Sequence, residues 1–373
     1  MKLSLLQENL NLALNHVSRF VAFKAQLPIL GNILLTTDSG RLKLSATNLE
    51  LGINYWVGAK IDKEGTIAVP AREITEFVSY LDPGKIDLTL NSNLLNLKSN
   101  KAESDFTTFS PIDFPVLSSA NSKDGFEIDF SDLADPINQI TFSAATDDTR
   151  PVLTGILVCF TKDNLILVAT DGFRLSLKEI KLKSPIKMPS GKDRLTLLVP
   201  AKALMEINKL VSPNSLIKIS IAKDERQIFF IMDNLELVSS LLEGQYPEYQ
   251  KIIPESFSTT IEIDKDELTQ AIKLASVFAA QSANVVKMNI KHNVVEISAN
   301  APQLGKNKIT VATKINGDPI EIAFNYKFIL DFIGAVKGKE LVIKLNESLT
   351  PGLFADVADP TYTHIIMPVR IQG

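Results

Sequence analysis

Ala169-Thr170-Asp171-Gly172-Phe173-Arg174-Leu175 sets an acid, an aromatic ring and a cation on one tight turn. The run Leu165-Ile166-Leu167-Val168 leads into it as a buried strand, and Asp171-Gly172 is a strong turn signal. Three readings fit: a catalytic turn, a ligand pocket or an ordinary hairpin. Carboxylates also stand close in sequence at Asp147-Asp148, at Asp264, Asp266 and Glu267, and at Asp356 and Asp359. A divalent-metal nuclease would need such groups to converge on an ion. The middle set reads as a helix cap, and the others sit among turn residues, where aspartate is favoured anyway. His16, His292 and His364 form no short-spaced pair, which argues against a histidine metal site. Gly334-Ala335-Val336-Lys337-Gly338-Lys339 imitates a phosphate loop, but it is one residue short, lacks the closing Ser or Thr and falls at a helix end. Gly-x-Gly-x-x-Gly and Gly-x-Ser-x-Gly are both missing from the sequence. No catalytic constellation and no cofactor motif emerges.

The elements that must hold these residues follow from length and periodicity. A chain of 373 residues is too long for one ordinary core, so two or three domains are expected. Hydrophobic content of 45% with 22% charged residues is that of a globular protein with ample core. The net charge of −4 argues against coating nucleic acid by bulk positive charge, while leaving room for a local basic surface. The single Cys159 lies in an apolar run and reads as a small buried residue; one cysteine allows no internal disulfide, which suits a reducing cytoplasm. The N-terminus reaches Asn and Glu too soon for a signal peptide, and no apolar run is long enough to span a membrane, so a cytoplasmic protein is expected.

One pattern is written three times. Lys2-Leu3-Ser4-Leu5 reads as a strand, followed by a helix with Leu6, Leu10, Leu14 and Val17 on one face. Phe126-Glu127-Ile128-Asp129-Phe130 restarts it, with Leu133, Ile137 and Ile140 at helical spacing and Pro136 blurring the start. Ile261-Glu262-Ile263 restarts it again; Asp264 caps a helix carrying Leu268, Ile272, Ala275 and Ala279. A second helix repeats as well. Val69-Pro70-Ala71-Arg72 opens one with Ile74, Phe77, Val78 and Leu81, and Val199-Pro200-Ala201-Lys202 another with Leu204, Ile207 and Val211. The third copy starts at Asn325, with Phe328, Ile329, Phe332, Ile333 and Val336 before Gly338. The copies recur about 130 residues apart, longer than any solenoid period. Polar joins near Ser118–Lys123 and Pro254–Ser258 divide the chain into three α+β domains at 1–121, 122–254 and 255–373, each with two helices on mainly antiparallel sheet.

Several stretches in series resemble the bacterial sliding clamp family, the beta subunit of DNA polymerase III. They are Leu27-Pro28-Ile29-Leu30-Gly31-Asn32-Ile33-Leu34-Leu35, Val69-Pro70-Ala71-Arg72, Thr149-Arg150-Pro151-Val152-Leu153-Thr154-Gly155, Ala169–Leu175, Glu243-Gly244-Gln245-Tyr246-Pro247-Glu248-Tyr249 and Met367-Pro368-Val369-Arg370-Ile371. The resemblance covers the whole chain in order. It implies three tandem clamp domains closing as a head-to-tail homodimer into a six-domain ring around duplex DNA, helices lining the hole and sheets outside. It implies a non-catalytic processivity factor that tethers the replicative polymerase and meets a clamp loader and other clamp-binding proteins. DNA-facing positions by resemblance are Lys24, Arg72, Arg150 and Lys202. The family often carries polar or aromatic residues beside this arginine, where Asp147, Pro151 and Val152 stand here. A pocket for partner peptides falls, by the same resemblance, on Leu153, Thr170, Gly172, Phe173, Arg174, Leu175, Pro247, Lys251, Ile252, Ile365, Met367, Pro368, Val369, Arg370 and Ile371, extended by Asn325 and Phe328. An apolar cleft with polar edges suits a short peptide with a few apolar anchors. Phe173 stands where the family often has His, so peptide binding is expected to vary little with pH near neutrality. Gln372-Gly373 extend beyond the apolar Ile371 and are expected to fray over the cleft mouth. Phe106, Val277 and Phe278 are the implied dimer contacts.

Overall fold

The computed structural model describes residues 1–22, 27–120, 125–188 and 192–370. Its α-helices fall in three pairs: α1 (Gln7–Val17), α2 (Ala71–Ser79), α3 (Ser131–Ile140), α4 (Ala201–Leu210), α5 (Lys265–Ala279) and α6 (Tyr326–Ala335). Residues spaced three and four apart put the apolar side chains on one face, and those faces are buried. Leu10, Leu14 and Val17 of α1 are fully buried, as are Leu268, Ile272, Ala275 and Ala279 of α5. Leu6 departs from the expected face: it ends the strand Lys2–Leu6 and is 50% exposed, and Gln7 and Ala13 join the buried side instead.

The caps follow the sequence. Asp264 accepts hydrogen bonds from the N–H groups of Asp266 (2.8 Å) and Glu267 (3.0 Å), and Asn325 accepts one from Lys327 (3.0 Å). Each such cap contributes about 1 kcal/mol. Pro70 and Pro200 end the strands Thr66–Pro70 and Arg194–Pro200, one residue before their helices rather than inside the first turn. Pro136 sits within α3, and the helix continues through it. A helical proline costs about 3 kcal/mol. Burial of Leu133, Ile137 and Ile140 on the same helix, at about 1.5–3 kcal/mol each, outweighs that.

By contacts the chain divides into two compact units, Met1–Phe130 with Lys209–Leu241, and Ser131–Asn208 with Leu242–Gly373. The first holds a five-stranded sheet (Lys60–Lys63, Lys2–Leu6, Lys85–Asn91, Leu94–Lys98, Glu103–Thr107) and an eight-stranded one. In the latter, Leu235–Ser240 of the second repeat pairs antiparallel with Leu51–Gly58 of the first, Leu237 opposite Ile53. The second unit holds a nine-stranded sheet in which Arg174–Lys181 pairs antiparallel with Asp359–Ile366, Leu175 opposite Ile365. It also holds a four-stranded sheet in the order Gly305–Ala312, Val294–Ala301, Val285–Lys291, Ile320–Asn325. The strands of the second repeat are thus shared between the two large sheets.

Candidate functional site

The turn after Asn164–Thr170 is built by its own side chains. The Thr170 hydroxyl donates to the Arg174 carbonyl (2.6 Å) and accepts from the Gly172 N–H (3.0 Å). One Asp171 carboxylate oxygen accepts from the N–H groups of Phe173 (2.8 Å) and Arg174 (3.0 Å). These local bonds replace ladder hydrogen bonds, which is the usual use of Asp and Thr at turns. Gly172 has φ +90°, and a Cβ there would lie 2.7 Å from Arg150 Nη1. The left-handed backbone favours glycine, and a side chain there would have to displace the Arg150 guanidinium. Arg150, expected at the DNA surface, donates from Nη2 to the Asp171 carbonyl (2.7 Å), so its guanidinium braces this turn.

The turn presents outward what it does not need for itself. Phe173 is 61% exposed, while Leu175, Thr170 and Leu153 are buried. On the facing side Met367 donates its N–H to the Phe173 carbonyl (2.8 Å), and Val369 donates to the Ala323 carbonyl (2.8 Å). Leu175 and Ile365 form one apolar cluster with Val168 and Tyr249, against which Ile252, Ile253, Tyr246 and Leu353 pack. Met367 lies at the rim, 36% exposed. Pro247 and Lys251 are exposed nearby in sequence, and Lys251 pairs with Glu248. Pro368 and Val369 are half-buried, Arg370 is exposed, and Ile371, Gln372 and Gly373 lie outside the described residues. The result is a buried apolar floor between a turn and a terminal segment, with Phe173 and Met367 left at its edges.

Arg174 closes one end. Its Nε donates to Asp171 (3.1 Å) and its Nη2 to the Phe142 carbonyl (2.6 Å), while Nη1 pairs with Asp331 on α6. The guanidinium lies over the rings of Phe328 (4.5 Å) and Phe142 (5.2 Å), so Phe328 meets the site through Arg174. Asn325, half-buried, is spent on capping α6.

Beneath runs a buried polar seam. His364 Nδ1 is 2.8 Å from Ser176 Oγ, which also reaches Ser143 Oγ (2.7 Å) and Tyr362 Oη (3.2 Å). Burial, aided by the Arg174 charge, pushes the His364 imidazole down to about 3. Lys178 donates to both Asp359 oxygens (2.6 and 2.5 Å) and to Thr361. Burial works to raise the Asp359 carboxyl, but hydrogen bonds from Lys178, Gln139 and Thr361 bring it below its ordinary range.

The other carboxylates are accounted for locally. Asp147 accepts from the N–H and hydroxyl of Thr149, and Asp356 holds the N–H groups of Gly338 (2.8 Å) and Ala358 (2.9 Å). Among the described residues no three or more His, Cys, Asp or Glu side chains gather to hold a metal. Cys159 is buried and accepts from Arg194 Nη2 (3.3 Å). Arg72 and Lys202 occupy the same place, exposed in the first turns of α2 and α4. Cations there oppose the helix dipole by a few tenths of a kcal/mol, so helix stability does not explain them. Lys24 lies outside the described residues. Phe106 is half-buried on the edge strand Glu103–Thr107, edge-on to Phe77 at 5.4 Å. Val277 is 62% exposed on α5, next to a half-buried Phe278.

Sequence reasoning missed two parts of this site and a sister copy of its turn. Tyr246 and Tyr249 were visible as aromatics in the Glu243–Tyr249 stretch. Asp331 and Phe142 left no signal, since their role comes only from Arg174. The turn itself is repeated: Ala46-Thr47-Asn48 matches Ala169-Thr170-Asp171. Thr47 Oγ1 donates to the Leu51 carbonyl (2.8 Å) and accepts from the Leu49 N–H (3.0 Å), and Asn48 Oδ1 accepts from Glu50 (3.0 Å) and Leu51 (2.8 Å). Ser240 donates to the Glu50 carbonyl (2.9 Å) as Met367 does to Phe173. Leu49, at φ +78°, takes the place of Gly172, and Glu50 that of Phe173.

Known proteins match this chain along its length. It is 30% identical over 391 residues to the beta sliding clamp of Synechocystis sp., and 29% identical over 380 residues to that of Synechococcus elongatus, with all of both chains covered in each case. The crystal structure of the DNA polymerase sliding clamp from Bacillus subtilis matches all of it with a TM-score of 0.93 at 28% identity. Residues 1–118, 127–248 and 250–370 match the N-terminal, central and C-terminal domains of the DNA polymerase III beta subunit in turn. With three family domains in order and a curated relative covered end to end, the chain belongs to the DNA polymerase III beta subunit family, the beta sliding clamps.

Proposed function

We propose that this chain is a processivity clamp: two copies join head to tail and enclose duplex DNA, carrying out no chemistry of their own. The domains are 1–121, 122–254 and 255–373. The observation that carries the reading is the end-to-end match of a threefold repeat to sliding clamps. The charge fits. A closed ring holds DNA by topology, so sequence-blind, salt-sensitive contacts from a few cations suffice, and a net charge of −4 is no obstacle. Lys24, Arg72, Lys202 and Arg150 are assigned to that surface, Arg150 doing double duty as the brace of the turn. Two edge strands, Glu103–Thr107 and Gly305–Ala312, leave unpaired backbone groups, and exposed edges invite strand pairing. Phe106, Val277 and Phe278 supply apolar contact for that closure.

The cleft around Leu175, Ile365, Phe173 and Met367 receives the apolar anchors of peptides from the replicative polymerase, the clamp loader and other clamp-binding proteins. Phe173 supports this: a largely exposed ring beside a buried apolar floor marks a surface that a partner covers. Among the described residues no helix is long and apolar enough to cross a membrane. Residence in the cytoplasm, beside replicating DNA, is part of the same proposal.

The test is loading onto nicked circular DNA. The protein stays on the circle through gel filtration at moderate salt and is lost once the circle is cut. Equal retention on circular and linear DNA, or none on either, refutes the ring.

A further inference from the structure

Two open sheet edges of this chain carry opposite charge. Glu103–Thr107 ends the five-stranded sheet of the first unit, and Gly305–Ala312 ends the four-stranded sheet of the second. Both strands alternate. On the first, Glu103, Asp105 and Thr107 are exposed and Ser104 and Phe106 half-buried, with Phe106 edge-on to Phe77 of α2. On the second, Lys306, Lys308 and Thr310 are exposed, whereas Asn307 and Ile309 are half-buried, Val311 is buried, and α5 packs against the strand. Successive side chains of a strand point to opposite faces. The acids of one edge and the lysines of the other therefore both stand on the face turned away from the helices. Neighbours within each sheet leave the imbalance in place. Lys98 pairs with Glu103 (2.9 Å) and Glu296 with Lys308 (2.5 Å). Among the described residues no cation pairs with Asp105, which accepts from the Asn96 amide (2.9 Å), and no acid pairs with Lys306.

We propose that these charges decide how copies of this chain join: the acidic edge of one copy takes the basic edge of the next and rejects its own kind. The inference rests on the ring reading above and adds what makes unlike edges choose each other. Backbone groups alone do not choose, because an open edge pairs with any strand, including the same edge of a second copy. Pairing like edges would set Glu103 and Asp105 against themselves, or Lys306 and Lys308 against themselves, and like charges across a ladder are destabilising. What remains is the heterologous contact, which a two-membered ring makes twice. Parity agrees with the charges. With the helices of both copies on one side of the joined sheet, Phe106 comes opposite an odd-numbered residue of Gly305–Ala312. Glu103 and Asp105 then come opposite the even-numbered ones, where the lysines stand. A slip of one residue would put Phe106 on the face of the lysines. Contacts of this kind act mainly on partner choice and on-rate, and salt screens them.

Charge-reversed full-length chains test it by sedimentation equilibrium. In Glu103→Lys/Asp105→Lys both edges are basic, and in Lys306→Glu/Lys308→Glu both are acidic. Each variant alone should dimerise about a hundredfold more weakly than the wild type at low salt, and the deficit should shrink as salt rises. Far-UV circular dichroism of both should match the wild type, since all four sites are exposed. Mixed in equal amounts, the two variants should recover a dimer, because each seam of the mixed ring joins an acidic edge to a basic one. A chain carrying all four changes should dimerise by itself. The wild type gives a reading independent of any variant: its dimer should weaken about fivefold between about 0.1 M and about 1 M salt. A wild-type dimer that ignores salt, a double variant that dimerises as the wild type does, or two variants that stay monomeric when mixed would each overturn the charge rule and leave the ring standing. A wild-type chain that is monomeric throughout defeats the ring reading, and the proposal goes with it.

Discussion

Removing Arg174 should loosen the proposed docking cleft from the third repeat, and the size of the effect can be worked from its contacts. The side chain is 11% exposed and serves three acceptors, two of them charged. Truncation to Ala leaves the Phe142 carbonyl without this donor, at about 1–3 kcal/mol, and removes two cation–ring contacts of about 0.5–1 kcal/mol each. Asp171 keeps its two backbone N–H donors, so its share is small. Asp331 is 44% exposed, and the pair with it counts as a surface pair, about 0.5 kcal/mol after screening. Arg174→Ala should therefore cost about 3 kcal/mol locally, while the Arg174→Ala/Asp331→Ala cycle should show a coupling of only about 0.5 kcal/mol. Native-state hydrogen exchange of the strand Arg174–Lys181 and of α6 is the appropriate assay, because a chain of several domains need not unfold in one step. Peptide affinity should fall about tenfold as Phe328 and Phe142 relax. A local loss under 1 kcal/mol, or a coupling that accounts for most of the loss, would refute the seam and leave Arg174 as half of a simple ion pair.

Four further outcomes are expected. Gly172→Ala should cost about 1–2 kcal/mol and displace Arg150, whereas Leu49→Gly in the sister turn should gain about 0.5 kcal/mol, strain relief exceeding the added chain entropy; thermal shifts of opposite sign check both. Unfolded His364 takes a proton near 6.5 but folded only near 3, so the unfolded state binds more protons in between and stability falls as pH drops through that window. The loss is about 2 kcal/mol from pH 6 to 4.5, and denaturant titrations of a His364→Gln variant should lack it. Phe106→Asp with Phe278→Asp should give monomers by light scattering, and an unchanged dimer mass retires the assigned contacts. Ser176→Ala with His364→Val should hold stability within about 1 kcal/mol yet lower the refolding yield; an unchanged yield means the buried pair is merely tolerated.

Much of this was legible in the sequence because it is local or periodic. Helix faces follow from spacing, and the caps at Asp264 and Asn325 from residue type. The Thr170–Arg174 turn needs only its own side chains. Leu6 was misread because a strand and a helix abut there and both periods claim it. The repeated turn at Ala46–Leu51 was overlooked because Leu49 hides the glycine that marks its twin. What the sequence could not show is long-range pairing. Arg174 meets Phe142 and Asp331 at separations of 32 and 157 residues, and nothing in either neighbourhood announces the contact. The sharing of the second repeat between two sheets was equally hidden, since edge strands carry no label for their partners.

The sharing of the second repeat between two sheets gives a physical reason for polar seams. Three similar repeats offer many wrong pairings, and apolar strands of equal length discriminate poorly among them. At each join a polar pair sits directly across the ladder: Asn54 opposite Glu236 in one sheet, Ser176 opposite His364 in the other. The pairs differ in kind. Asn54 Nδ2 donates to Glu236 (3.3 Å), whose carboxyl burial raises, while Ser176 meets a histidine that burial keeps neutral. Exchanging partners between the joins, or slipping either by one residue, would strand a buried carboxylate or imidazole against apolar neighbours, at several kcal/mol. Glu236 and His364 thus have a use in assembly, since their polar pairs differ between the two joints of a chain built from copies of itself.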